Sequence, residues 1–101
     1  MNLDDAQQQV IAFRNARGWQ KAPQLKDSAI SLNLEAAELL EHFQWKSDVE
    51  FKEYLEKHKD EVADELIDVL YWVLLMCHDL NISIEDHFKR KMTKNAAKYP
   101  L

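Results

Sequence analysis

Two carboxylate pairs stand at helical spacing in this sequence, Glu35 with Glu38 and Glu65 with Asp68, and Glu61 and Asp64 lie one turn before the second pair. Side chains three or four residues apart share a helix face. Each pair therefore points like charges in one direction, at a cost of about 0.2–0.5 kcal/mol per pair when nothing compensates them. Their flanks are apolar: Leu34, Ala36, Ala37, Leu39 and Leu40 surround the first pair, and Leu66, Ile67, Val69 and Leu70 the second. Such surroundings argue against a solvated acidic face, and a divalent cation is the economical compensation. If the two faces oppose, four to six carboxylates converge, and hard oxygen ligands of that kind suit magnesium, with manganese as a substitute.

Di-iron carboxylate bundles use Glu-x-x-His. No Glu stands three positions before His42, His58, His78 or His87, so redox iron chemistry is the weaker reading. His42 is expected beside the site or on the surface rather than as a ligand.

The elements that must position these groups are helices. The 101 residues include one Gly and two Pro, too few for a set of hairpins, and apolar residues recur at three- and four-residue intervals. A first helix is expected from about Leu3 to Arg17, ended by Gly18, with a loop through Pro23. A second runs from about Lys26 to Phe43, capped by Asp27 or Ser28, and Ser47-x-x-Glu50 reads as a capping box for a third. That third helix extends to about Asp79 with a break near His58, and Ser83 starts a fourth that reaches about Ala97. The fold class is all-α, a four-helix-type bundle forming a single domain over residues 1–101. Leu66 through Leu75 is apolar over more than the ~100° stripe that a bundle helix buries, which calls for a second subunit in a homodimer.

Composition bounds the partners. A 47% hydrophobic content marks a folded chain, and a net charge of −5 gives no electrostatic basis for binding duplex nucleic acid or an anionic membrane. A lone Cys77, no signal peptide and a longest apolar run well short of the ~20 residues of a membrane span point to a cytoplasmic setting.

The stretch Ser31-Leu32-Asn33-Leu34-Glu35-Ala36-Ala37-Glu38-Leu39-Leu40-Glu41-His42-Phe43-Gln44-Trp45, then Asp64-Glu65-Leu66-Ile67-Asp68-Val69-Leu70, and the ending Lys91-Met92-Thr93-Lys94-Asn95-Ala96-Ala97-Lys98-Tyr99-Pro100 resemble the MazG-like nucleoside triphosphate pyrophosphohydrolases, including the dCTP pyrophosphatase branch. The likeness runs from about Trp19 to Pro100. It implies an all-α dimer or dimer of dimers and magnesium-dependent cleavage of a nucleoside triphosphate to monophosphate and pyrophosphate, in house-cleaning of noncanonical or surplus deoxynucleotides. It also implies Glu35, Glu38, Glu65 and Asp68 as metal ligands, with Glu61 and Asp64 as second candidates.

Under that resemblance Glu38 orients the attacking water, with Glu35 as the other candidate for this catalytic role. Lys26, Lys91, Asn95 and Tyr99 meet the phosphates, and Trp19, Trp45 and Trp72 stack on the base, at about 1–3 kcal/mol per ring. Lys21-Ala22-Pro23-Gln24 lacks a His found there in some dCTP-selective relatives, and Val10 offers no polar reader of a base edge, so a cytosine preference is not implied. The competing class is a non-catalytic helical interaction or regulatory module whose acidic face binds a basic surface.

Overall fold

The computed structural model describes residues 1–21 and 25–101. The expected loop through Pro23, and the Ala22-Pro23-Gln24 part of the stretch lacking a His, lie outside the described residues. Helix α1 spans Leu3–Ala16, a short 3₁₀ turn follows at Trp19–Lys21, α2 spans Leu25–Glu41, α3 Asp48–Asp79 and α4 Ile84–Lys98. There is no strand among the described residues.

Local chemistry explains the boundaries. Asn2 accepts from the Asp5 amide at 2.9 Å while the Asp5 carboxylate accepts from the Asn2 amide at 3.2 Å, a capping box that opens α1. Gly18, at φ 70°, takes the left-handed turn after it. Ser47 and Glu50 form the expected box at the start of α3, and Ser83 accepts from the Asp86 amide ahead of α4. Helix α2 already begins at Leu25, so Asp27 and Ser28 lie inside it and cap nothing. It also ends two residues before Phe43, because His42, Phe43 and Gln44 close tight turns onto Leu39 and Leu40 and the Phe43 ring stacks on Phe51 at 4.0 Å.

The break expected near His58 does not occur, and α3 continues for 32 residues. No Gly or Pro interrupts it, and His58 reinforces the turn through Nδ1 against the Tyr54 carbonyl oxygen at 2.9 Å.

Helices α2 and α3 pack along each other, and α1 packs on α3. Among the described residues the buried apolar side chains are Val62, Leu74 and Leu75. Around them, Gln7 Nε2 donates to the Leu74 carbonyl at 2.9 Å, and Arg14 Nη1 donates to both Asp79 oxygens at 2.8 Å. The two charged side chains are only 10% and 16% exposed. Removing one member of such a buried pair strands the other charge, so Arg14→Met is expected to cost about 3 kcal/mol, read by urea unfolding at fixed protein concentration. A loss under about 1 kcal/mol would match a solvent-screened pair instead.

The four-helix bundle is realised within one chain only as far as α1–α3. Helix α4 leaves α3 at 107° after Asn81 turns the chain at φ 56°, and among the described residues it packs extensively on none of the other helices. The protomer exposes 8149 Å², roughly 2,200 Å² more than the ~5,950 Å² of a folded monomer of this mass. Its radius of gyration is 16.4 Å, against about 13 Å for a compact domain of this length. Among the described residues no single helix is long and apolar enough to cross a membrane.

Candidate functional site

The packing of α2 against α3 brings Glu35 and Glu38 onto Glu65, with one oxygen of each within 4.8 Å of the others. Glu35 and Glu65 are half-buried and Glu38 is exposed. One oxygen of Glu35 and one of Glu65, Oε2 in each case, are buried without a hydrogen-bond partner. Leaving such an acceptor unmet costs on the order of 1–3 kcal/mol. The ion pairs among the described residues, Arg14 with Asp79 and Lys89 with Glu85, leave the cluster uncompensated.

Burial pushes the Glu35 carboxyl above its ordinary range, and the charge and hydrogen bonding of Glu38, then the charges of Asp68 and Glu65, push it the same way. Glu65 rises for the same leading reason, burial, followed by Glu38 and Asp68, with His42 pulling slightly against them. Two orphaned oxygens facing a third carboxylate fit a hard divalent cation, which would satisfy them and favour the ionised forms.

The sign of the pH dependence follows. A carboxyl whose folded pKa lies above its unfolded value destabilises the fold when ionised. Metal-free protein should therefore gain stability from this cluster as pH falls from neutral through the raised pKa toward 4.5, the ordinary value. Glu65→Gln, melted in chelator, is expected to exceed wild type by a few degrees at pH 7 and to lose that lead near pH 4.5. A Glu65→Gln protein less stable than wild type at pH 7 would show that the repulsion is already compensated.

The other members of the two acidic columns separate. Asp68 is exposed and stands outside the triad, yet its charge is felt by both Glu35 and Glu65. Glu61 and Asp64 are exposed and outside the triad as well. Asp68 instead lines a cavity of about 540 Å³ between α1 and α3, walled by Val10, Phe13, Trp19, Tyr71 and Trp72. Phe13 meets Trp19 edge-on at 5.8 Å and Tyr71 at 6.2 Å, and Tyr71 meets Trp72 at 5.1 Å. Acidic triad and aromatic cavity thus adjoin through Asp68.

Two of the three tryptophans assigned to a base meet in this cavity. Trp45 does not line it; it lies beyond the end of α2, 85% exposed. Lys26 is exposed on the first turn of α2. Lys91 and Asn95 ride on α4, and Tyr99 caps it, so a single chain does not bring these three onto the triad. Phe13 and Tyr71 were not among the expected site residues. The signal was present in the apolar stripe of Leu3, Ala6, Val10 and Phe13, which reads as core until the cavity beside it is seen.

The MazG-like family model matches residues 30–101. A pyrophosphatase from Archaeoglobus fulgidus, known from its crystal structure, superposes with a TM-score of 0.89 at 42% identity, over 97% of this chain and 92% of that one. The dCTP pyrophosphatase 1 proteins of Mus musculus and Rattus norvegicus are each 29% identical over 101 residues, covering 98% of this chain. This chain spans 59% of the length of those two relatives.

Proposed function

Because the chain belongs to the MazG-like family, we propose that it is a magnesium-dependent nucleotide pyrophosphohydrolase that converts deoxynucleoside triphosphates to monophosphate and pyrophosphate. The observation that carries this reading is the adjacency of an uncompensated carboxylate triad and an aromatic cavity, joined by Asp68. That is the layout a nucleotide requires, with phosphates at one end and a flat base at the other.

Glu35, Glu38 and Glu65 would hold the cation, with Asp68 completing the set toward the cavity. When bound, Mg²⁺ supplies the positive charge that lets a triphosphate with about four negative charges approach, and it polarises the phosphoryl oxygens. Glu38, the exposed member, would orient the attacking water and take its proton. The water oxygen bonds to the α phosphorus, the bridging bond to the β phosphate breaks, and its electron pair leaves with pyrophosphate. Trp19 and Trp72 stack on the base, each for about 1–3 kcal/mol. The apolar cavity wall supports selection by fit more than by edge-specific hydrogen bonds.

We further propose a homodimer or a dimer of dimers, built from a single domain over residues 1–101. The roughly 2,200 Å² of surplus surface exceeds the ~800 Å² per partner of an ordinary interface. Much of it is apolar, including Leu34, Leu66, Ile67, Phe88 and Met92, each at least 51% exposed. A second copy would also supply what one chain lacks, since Lys91, Asn95 and Tyr99 reach the triad only if α4 packs on another subunit. The unpaired Cys77 supports a reducing, cytoplasmic setting, where the nucleotide pool is found.

The test is a panel of canonical and modified deoxynucleoside triphosphates with Mg²⁺ or Mn²⁺, scored for both products. Turnover is expected for at least one deoxynucleotide, and the panel fixes the base. No turnover with either metal would leave the chain as an acidic interaction module.

A further inference from the structure

Burial does not hold the α1 side of the aromatic cavity in place. Phe13 is 44% exposed and Trp19 55%, and the two rings meet only edge-on. A flat base gains most from rings that are already ordered, because each side chain immobilised on binding costs affinity. A restraint other than the core is needed to order this pair.

Arg17 meets that need. It follows Phe13 by one turn and caps α1, and Gly18 at φ 70° then turns the chain so that Trp19 returns to Phe13. The guanidinium carbon lies 3.6 Å from the centre of the Phe13 ring and 6.0 Å from that of Trp19, within the range over which an aromatic face attracts a cation. Nη1 also donates to the Phe13 carbonyl oxygen at 2.9 Å, which anchors the guanidinium over the ring. Among the described residues no carboxylate pairs with it. The charge is felt at a third ring of the wall: burial pushes the Tyr71 hydroxyl above its ordinary range, and Arg14 followed by Arg17 pulls against that rise.

We infer that Arg17 is a positioning residue for the base: its guanidinium, stacked on Phe13 and within reach of Trp19, holds these two rings in the arrangement that receives a flat ligand. Arg17 touches neither base nor phosphate in this role. Its contribution is made before the ligand arrives, by restraining exposed rings that would otherwise have to be ordered on binding. The inference rests on the nucleotide reading of the cavity proposed above.

The test separates the base from the phosphates. Quenching of tryptophan fluorescence reads the affinity of the canonical deoxynucleosides, which carry no phosphate, and inhibition of turnover by pyrophosphate reads a ligand that carries no base. Arg17→Ala is expected to weaken nucleoside affinity and raise KM for the triphosphate by about three- to fivefold each, the size of an exposed cation–π contact, with kcat and pyrophosphate inhibition unchanged. Arg17→Lys keeps a charge for the ring and should recover most of the loss. Arg17→Gln keeps only a donor for the Phe13 carbonyl and should not, a difference that a merely structural cap on α1 would not produce. Circular dichroism checks that the helices persist in all three. Wild-type nucleoside affinity in Arg17→Ala overturns the inference, and so does a loss confined to pyrophosphate inhibition, which would make Arg17 a phosphate contact; the proposed activity survives both. If no deoxynucleoside quenches the wild-type protein, the base reading of the cavity falls and takes the inference with it.

Discussion

Glu38→Gln is expected to keep the helices and lose turnover by about a thousandfold or more, since the ligating and water-orienting role proposed for Glu38 asks of it several kcal/mol of transition-state stabilisation. Asp68→Asn is expected to fall comparably, because Asp68 joins the triad to the cavity. The same exchange should make metal-free protein more stable. Glu38 adds to the upward push on both Glu35 and Glu65, and neutralising it relieves that repulsion. Activity and stability therefore move in opposite directions, as at many strained sites. Steady-state kinetics with saturating Mg²⁺, paired with melts in chelator, check both signs. A wild-type rate in Glu38→Gln would remove it from the site, and a large loss of stability would make the activity loss uninformative.

The second large effect is expected from α4. Placing charge on its exposed apolar side, with Phe88→Glu and Met92→Glu together, should convert the proposed dimer to monomers and reduce turnover by at least about a hundredfold, because in the proposed assembly Lys91, Asn95 and Tyr99 would no longer meet the phosphates. Loss of one well-placed electrostatic contact to a reacting group typically costs about 10²–10³. Light scattering and kinetics on one preparation separate the outcomes. Monomers that turn over at the wild-type rate would show that one chain carries a complete site.

Much of this architecture was legible because the signals are local. The Ser47–Glu50 box and the left-handed Gly18 are decided within a few residues, and the helices begin and end within about two residues of expectation. What was missed depends on tertiary contacts. The end of α2 is set by Phe43 stacking on Phe51, eight residues away in another helix. The suspected break at His58 dissolves because His58 is held against Tyr54. An amphipathic pattern tells which face of α4 is apolar but not which molecule covers it.

The candidate site was legible to a similar depth. Helical spacing paired Glu35 with Glu38 and placed them toward α3. It could not foresee that Asp68, 60° around the helix from Glu65, would border the aromatic cavity. Nor could it show that Trp45 would sit beyond the helix end, or that Phe13 and Tyr71 would complete the cavity wall. These depend on how α1 lies across α3, which is fixed by Arg14 on Asp79 and Gln7 on the Leu74 carbonyl.

The most direct test of the central claim is a single incubation of the protein with Mg²⁺ and a turned-over deoxynucleoside triphosphate in ¹⁸O-water, with products resolved by mass spectrometry. Attack at the α phosphorus predicts pyrophosphate without label and monophosphate carrying one ¹⁸O. Label in pyrophosphate, or release of orthophosphate, would contradict the assigned bond and with it the proposed site.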